Sequence, residues 1–270
     1  MDSEESVTAS ERKRGLIVPV ANPEGVAPLL SIAFAAHDGG DPPVRVLALV
    51  RRGAGAAAEA AAPSSSAIAA AEAYALARGV AIETRAVWSA NPALDIISHA
   101  SAAGVAWIAL GYHRAVSGSD AMGGVVREVL ARAKSMPINV AVFVQGTDHP
   151  FERVYAAFDS SPDGQAALGL AVRIVRGSRA KLRALMVSGR VEDTGDELLD
   201  MVHDARKQLG RQFHSDVLSE RSLGQLFKQT PGRLLIVGRS FADEVAMPLD
   251  EVPGRDRCVI VVQGAGAPEE

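Results

Sequence analysis

The chain has 270 residues, enough for two ordinary domains, and its 48% hydrophobic but only 4% aromatic residues leave Ala, Val and Leu to fill the core. Its net charge of -4 gives no sign of a nucleic-acid partner, and its single cysteine, Cys258 in an apolar run, excludes an internal disulfide. No apolar run approaches the roughly 18 residues of a membrane span, and the polar start is unlike a signal peptide, so we expect a soluble protein of the cytoplasm.

Short apolar runs alternate with helical segments through the first half of the chain. The runs that predict strands are GLIVPVAN, VRVLALV, VAIETRAVW, VAWIALG and INVAVFV, which begin at residues 15, 44, 80, 105 and 138. Helices are predicted near 24–37, around AIAAAEAYALA at 67–77, and near 93–102 and 123–133. Apolar strands separated by helices indicate a parallel sheet that is covered by helices on both faces.

The same order starts again after residue 152. Strands are predicted in RVYAAFD, KLRALMVS, FHSDVLS, RLLIVG and CVIVVQG, which begin at residues 153, 181, 213, 233 and 258. Helices are predicted near 162–176 and 192–209 and in SLGQLFKQ, which begins at residue 222. Each half ends in an apolar strand followed by Gln-Gly, at residues 145–146 and 263–264, which indicates a duplication.

The sequence therefore predicts an α/β protein with two tandem five-stranded parallel-sheet units related by a pseudo-twofold axis. We place the first unit at 15–146 and the second at 153–264. Residues 147–152, which contain Pro150, form the linker, and 1–14 and 265–270 are polar tails. Because INVAVFV and CVIVV are too apolar to remain bare edges, we expect both strands close to the axis.

The order of strands and turns resembles a known family. One strand ends in Pro-Val and leads through a small polar turn into a helix, and the fourth strand ends in glycine before a Gly-containing loop and another helix. This arrangement resembles the tandem universal stress proteins, from Leu16 to Val262. The stretch LGYHRAVSGSDAMGGVVREVLARAKSMPINVAVFV is also similar to the stress-protein-like cytoplasmic tails of bacterial cation/proton antiporters and some amino-acid permeases.

The resemblance implies a Rossmann-like fold and a crevice between the first and fourth strands of each unit, where the strand order reverses. Members of the family that bind nucleotides carry Asp after the first strand and a Gly-x2-Gly-x9-Gly-Ser/Thr loop after the fourth. In the first half, Gly111 begins that loop and Gly124 holds its third glycine, but Arg114 and Val125 replace the second glycine and the hydroxyl residue. The position of the aspartate belongs to Ala21.

The resemblance therefore implies a first site for ATP, AMP or a cyclic adenine nucleotide. Its phosphate would meet the amides that begin the following helix, and its residues would be Gly111, Arg114, Gly123, Gly124, Val125 and Asn22. An alternative interpretation remains open, because the glycines also suit a tight strand-to-helix connection and Arg114 also suits a solvated rim.

The second half shows the opposite pattern. Asp159 stands at the position of the family's aspartate, but the segment after Gly238 is acidic, contains two prolines and lacks a phosphate loop. Asp159 is either a ligand residue or part of the cap of the helix that begins at Pro162. We therefore interpret Asp159 and Gly238 as the remains of a degenerate second site.

The sequence contains no recognisable catalytic or metal-binding constellation. Its six histidines are scattered, and it has no nucleophile elbow and no Walker-type loop. We expect a protein that is not an enzyme and holds no metal, and two hypotheses remain for it. One is a regulatory nucleotide sensor, and the other is a degenerate interaction domain in the cytosolic part of a transporter. Its expected partners are a small nucleotide, a second copy in a homodimer and a membrane transporter or parent chain.

Overall fold

A computed structural model describes residues 15–51, 57–111, 124–145, 151–187, 195–218, 233–244 and 257–266. Ten strands and seven α-helices lie in these ranges. In the first half they are β1 (Leu16–Val20), α1 (Val26–Ala36), β2 (Val44–Arg51), α2 (Ala57–Leu76), β3 (Ile82–Ser89), α3 (Pro92–Ala102), β4 (Trp107–Gly111), α4 (Gly124–Ala133) and β5 (Asn139–Gln145). In the second half they are β6 (Arg153–Ala157), α5 (Pro162–Arg176), β7 (Lys181–Val187), α6 (Gly195–Leu209), β8 (Phe213–Leu218), β9 (Arg233–Gly238), α7 (Arg239–Glu244) and β10 (Arg257–Gln263).

All ten strands join in one sheet with the order β3-β2-β1-β4-β5-β10-β9-β6-β7-β8. Neighbouring strands are parallel except at the junction of the halves, where β5 and β10 pair antiparallel. The predicted α/β fold with five strands in each half is confirmed, as is the expectation that neither INVAVFV nor CVIVV remains a bare edge, because the two strands pair with each other. The pseudo-twofold axis and the domain boundaries stay predictions.

The helices cover the two faces of the sheet in different ways. Helices α1, α2, α5 and α6 pack on one face over a single core that runs through both halves, from Val18 in β1 to Ile260 in β10. On the opposite face, α3 and α4 cover the first half, and α7 packs on the second half around Phe241. The two halves of the chain are thus held together by a shared core as well as by the strand junction.

A polar contact reinforces this shared core where α1 and α5 meet. The Nε of Arg173 in α5 donates a hydrogen bond of 2.9 Å to the carbonyl of Ala36, at the end of α1. The same guanidinium pairs with Asp41, whose side chain is only 2% exposed. Since carbonyls at a helix end lack partners within the helix, Arg173 satisfies one of them from the other half of the chain.

The local signals of the sequence place the helix starts. In α3 the side chain of Asn91 accepts a hydrogen bond of 3.1 Å from the amide of Leu94, and Pro92 occupies the first turn. Helix α2 is longer than the predicted 67–77, because the alanine-rich segment before it continues the helix back to Ala57. Strand β3 alternates between exposed and partly buried residues, as its outer position in the sheet requires.

Candidate functional site

The first-half crevice lies at the carboxyl ends of β1 and β4, which are neighbours in the sheet. After β1, Ala21 is exposed and offers no carboxylate at the position expected for the family's aspartate. Asn22 follows it, and its Oδ1 accepts a hydrogen bond of 2.9 Å from the amide of Gly25. The side-chain oxygen of Asn22 therefore stabilises the turn that leads into α1.

At the end of β4, Gly111 packs closely against α1. A Cβ atom added to Gly111 would lie 3.3 Å from Cδ1 of Leu29. The contact gives this glycine a packing role at the wall of the crevice, beside any role in a phosphate loop. Predicted site residues Arg114 and Gly123 lie outside the described residues, which resume at Gly124.

Gly124 begins α4 and is exposed, and among the described residues no atom outside its own helix backbone lies within 4 Å of the position that a Cβ atom would take there. Val125, the next residue, packs against the core under α3 and α4 and has no hydroxyl to offer a phosphate. Since the first amides of a helix lack intrahelical partners and lie at its positive end, the start of α4 suits an anion. Gly124 is thus the most accessible of the predicted residues that the structure describes.

The second-half crevice, at the carboxyl ends of β6 and β9, is arranged differently. Asp159 is buried after β6, and its Oδ1 accepts hydrogen bonds from the amide of Ser161, at 3.1 Å, and from the Ser161 hydroxyl. Ser161 is the N-cap of α5 and accepts a hydrogen bond from the amide of Gly164 at 3.1 Å. Asp159 thus orients the residue that caps α5.

The first turn of α5 packs closely against the backbone at the ends of β6 and β9. A Cβ atom on Gly164 would lie 2.3 Å from the carbonyl oxygen of Asp159. One on Gly238, at the end of β9, would lie 3.0 Å from the amide nitrogen of Gly164 and from the carbonyl carbon of Asp163. Both glycines are required because backbone meets backbone across this crevice.

Asp163, in the first turn of α5, joins three parts of the second half. Its Oδ2 accepts hydrogen bonds from the amide and hydroxyl of Ser240 in α7, at 2.9 and 2.6 Å. Its Oδ1 accepts a hydrogen bond of 2.7 Å from the amide of Gly264, just after β10. The amide that follows β9, where the resemblance expects a phosphate, thus already faces a carboxylate of the chain itself.

The segment after β10 continues onto the first half. The Nε2 of Gln263 donates a hydrogen bond of 2.9 Å to the carbonyl of Leu130 in α4. The amide of Ala265 donates to Oδ1 of Asn139 at 2.8 Å, at the start of β5. The end of the second half is therefore fastened to the elements that follow the first-half crevice.

The described residues contain neither a cluster suited to a metal ion nor an exposed thiol. No group of three or more His, Cys, Asp or Glu side chains suited to a metal occurs among them. Cys258 is 1% exposed, and its burial raises the pKa of its thiol well above the ordinary value. Within the described part of the chain, no helix is both long and apolar enough to cross a membrane.

Comparison with known proteins gives a fold. No protein-family model and no curated protein matches the chain. A universal stress protein from Archaeoglobus fulgidus DSM 4304 is 16% identical, with a TM-score of 0.57 over 96% of this chain and 98% of its own. The chain has the universal stress protein fold.

Two further structures share this fold to the same degree. The cytoplasmic domain of a prokaryotic cation chloride cotransporter is 14% identical, with a TM-score of 0.57 over 96% of this chain and 97% of its own. A functionally unknown protein from Pseudomonas aeruginosa PAO1 is 15% identical, with a TM-score of 0.57 over 93% and 92%. The chain is thus similar in fold both to a universal stress protein and to the cytoplasmic domain of a transporter.

Sequence reasoning missed Asp163, which organises the second-half crevice. Its partner Gly264 lies 101 residues further along the chain, and no local pattern connects two such distant residues. The signal that the sequence did offer was the Gln-Gly that follows the last strand of each half, which we interpreted only as a mark of duplication. In the second half, that glycine packs against the start of α5, and a Cβ atom on Gly264 would lie 2.2 Å from the carbonyl oxygen of Pro162.

Proposed function

We propose that the chain is a non-enzymatic regulatory module of the universal stress protein type. Its first-half crevice binds one adenine nucleotide weakly, and its second-half crevice is closed by the chain's own Asp163. The observation that carries this proposal is the difference between the two crevices. The amide of Ser240 already donates to Asp163, whereas a Cβ atom at Gly124 would meet, within 4 Å, no atom of the described residues outside its own helix backbone.

The first-half crevice suits the phosphate end of a nucleotide better than the adenosine end. The amides at the start of α4 and the helix dipole both favour a negative charge beside Gly124. Ala21, however, offers no carboxylate to the ribose or base, and the oxygen of Asn22 is already bonded to Gly25. We therefore propose ATP, AMP or a cyclic adenine nucleotide as ligand, with modest affinity.

The second half contributes rigidity to this module. Its ligand position is taken by a carboxylate that holds α5, α7 and the end of β10 together. A bound phosphate would have to displace Asp163 and would meet its negative charge at close range. We propose that this closed crevice stabilises the tandem arrangement and leaves binding to the first half.

A second candidate function is an interaction domain of a membrane transporter. It is favoured by the likeness in fold to the cytoplasmic domain of a cation chloride cotransporter, which covers 96% of this chain. In this version the domain lies on the cytosolic side of the membrane and binds no nucleotide. We propose a homodimer in either version, since the outer strands β3 and β8 and the exposed helices leave surfaces for a second copy.

Calorimetric titration of the protein with ATP, AMP and cyclic adenine nucleotides tests the nucleotide site. The informative variant is Gly124→Asp, because the open space at Gly124 admits a side chain and an acidic residue suits the first turn of a helix. It should fold as the wild type does but bind at least tenfold more weakly, since its carboxylate repels the phosphate.

The matched control is Gly124→Asn, which has the same size as Gly124→Asp without the charge and should retain binding. Equal binding by Gly124→Asp and Gly124→Asn would contradict the phosphate position. The absence of any binding at millimolar nucleotide would contradict the sensor and leave the transporter domain as the function. Sustained release of phosphate from ATP would contradict the non-enzymatic assignment.

A further inference from the structure

Three basic residues stand side by side at the amino ends of neighbouring strands in the second half. Arg233 opens β9, Arg153 opens β6 and Lys181 opens β7. Arg153 is the direct register partner of both Arg233 and Lys181. We call these three residues the basic row, and neighbouring strands of a sheet place its members about 4.8 Å apart.

The basic row lies on the face of the sheet that α7 covers. Residues two positions further along the same strands, Tyr155 and Leu235, belong to the core around Phe241, whereas Val154 and Leu234 belong to the core on the other face. Because side chains alternate along a strand, the members of the basic row share the face of Tyr155 and Leu235. This amino edge of β6, β7 and β9 is opposite to the edge that carries the second-half crevice. Because β5 and β10 are antiparallel, it is the same edge of the sheet that carries the first-half crevice.

A cavity of about 360 Å³ opens beside the basic row. Arg153 and Lys181 line it, together with Arg183, His214 and Asp216. The Nε of Arg183 donates a hydrogen bond of 2.5 Å to Oδ2 of Asp216, and this contact lowers the pKa of the Asp216 carboxyl. One carboxylate thus faces three cations and a histidine around this cavity.

Within the part of the chain that the structure describes, the partners of the basic row leave most of its charge unbalanced. Arg233 donates a hydrogen bond of 2.7 Å to the hydroxyl of Tyr155, which is neutral, and its guanidinium lies 5.1 Å from the centre of the Tyr155 ring. Arg153 and Lys181 are both exposed. Like charges directly opposite each other in a sheet are destabilising, and this concentration occurs in a chain whose net charge is -4. A bound anion would relieve the repulsion.

We propose that the basic row and its cavity bind a small anion with at least two phosphate groups. Arginine forms bidentate hydrogen bonds with phosphate, and the row of three cations across two strand spacings, about 10 Å, is longer than one phosphate needs. The cavity volume lies within the range of about 300–1,000 Å³ that is typical of small-molecule sites. The ligand is separate from the nucleotide of the first-half crevice, because the basic row lies in the other half and two strands, β5 and β10, stand between β4 and β9 in the sheet.

Calorimetric titration with inorganic tripolyphosphate at low salt tests this site. We expect one tripolyphosphate at the basic row of each chain, with affinity that falls as salt is added, and at least tenfold weaker binding there for Arg153→Gln and for Lys181→Gln. Two controls should bind tripolyphosphate at the basic row as the wild type does. Lys207→Gln removes an exposed charge from α6, and Gly124→Asp blocks the first-half crevice.

Thermal unfolding gives a second readout that does not depend on the titration. Without any anion, Arg153→Gln and Lys181→Gln should melt at or above the wild-type temperature, because each relieves repulsion. With the first-half crevice blocked by Gly124→Asp, tripolyphosphate should raise the melting temperature of Gly124→Asp and of Gly124→Asp/Lys207→Gln. It should leave that of Gly124→Asp/Arg153→Gln/Lys181→Gln unchanged.

Three results would overturn the proposal. They are the absence of tripolyphosphate binding at millimolar concentration, an equal loss of binding in Lys207→Gln, and a loss of binding in Gly124→Asp. Binding of a polyglutamate peptide or of anionic vesicles without binding of tripolyphosphate would also overturn it, since the row would then serve a macromolecular surface.

Discussion

Replacing Asp163 with alanine tests whether the second-half crevice is held closed by this single carboxylate. The substitution removes the acceptor of three hydrogen bonds, from the amide and hydroxyl of Ser240 and from the amide of Gly264. It also removes an acidic residue from the first turn of α5, where negative charge is favourable. The contacts of α5 with α7 and with the end of β10 should weaken together.

The hydrogen bonds and the helix dipole set the size of the effect. The bond from Gly264 is partly buried, and a hydrogen bond to a charged group contributes about 1.5–3 kcal/mol. The two bonds from Ser240 are exposed and contribute about 0.5 kcal/mol each, at the low end of the usual range. With the helix-dipole term, Asp163→Ala should lower the free energy of unfolding by roughly 3 kcal/mol, which corresponds to a fall in Tm of roughly 6–12 °C.

Urea and thermal unfolding followed by circular dichroism measure this change. The control is Asp196→Ala, because Asp196 is also the second residue of its helix, α6, and is exposed. Its removal should lower the free energy of unfolding by about 0.3–1 kcal/mol, the dipole contribution alone. Equal losses of stability in Asp163→Ala and Asp196→Ala would refute the role of Asp163 as the residue that closes the crevice.

Two further pairs of variants test the packing around α5. Gly164→Ala should destabilise the protein by more than about 2 kcal/mol, because its Cβ would lie 2.3 Å from the carbonyl oxygen of Asp159. Gly169→Ala, in the same helix, meets no such contact among the described residues and should stabilise the protein by about 0.5–1 kcal/mol. Urea unfolding measures both, and the reverse order would contradict the contact. Arg173→Ala should lower the free energy of unfolding by about 2–3 kcal/mol, because it leaves the buried carboxylate of Asp41 without its cation. Arg176→Ala breaks the exposed pair with Asp38 and should lower the free energy of unfolding by less than about 1 kcal/mol. Equal effects in thermal melts would show that burial does not distinguish the two pairs.

The sequence predicted most of the architecture because its signals are local. Each half repeats five apolar runs separated by helices, and the strands of the structure lie within those runs or extend one residue beyond them. The apolar character of INVAVFV and CVIVV also correctly predicted that these strands would be covered. The continuity of the ten strands in one sheet was a finding of the structure, since apolar runs do not specify which edge pairs with which.

Local sequence patterns could not predict the features that distinguish the two crevices. Asp159 was interpreted as either a ligand or a cap, and the structure shows it bonded to Ser161, the N-cap of α5. The basic row was missed because it exists only in the register of three strands that are distant in sequence. A signal was present, since β6, β7 and β9 each begin with a basic residue, but strand starts become neighbours only once the sheet is formed.

The last strand of the chain lies in the middle of the sheet, between β5 and β9, and this position has a consequence for biosynthesis. A nascent chain completes β5 at Gln145, and about 110 further residues must leave the ribosome before β10 arrives, which takes roughly 6–20 s at ordinary rates of translation. During that interval β5 offers an apolar, unpaired edge to any neighbouring chain. Translation that stops before Arg257 would leave both β5 and β9 in that state, so incomplete chains should be prone to associate.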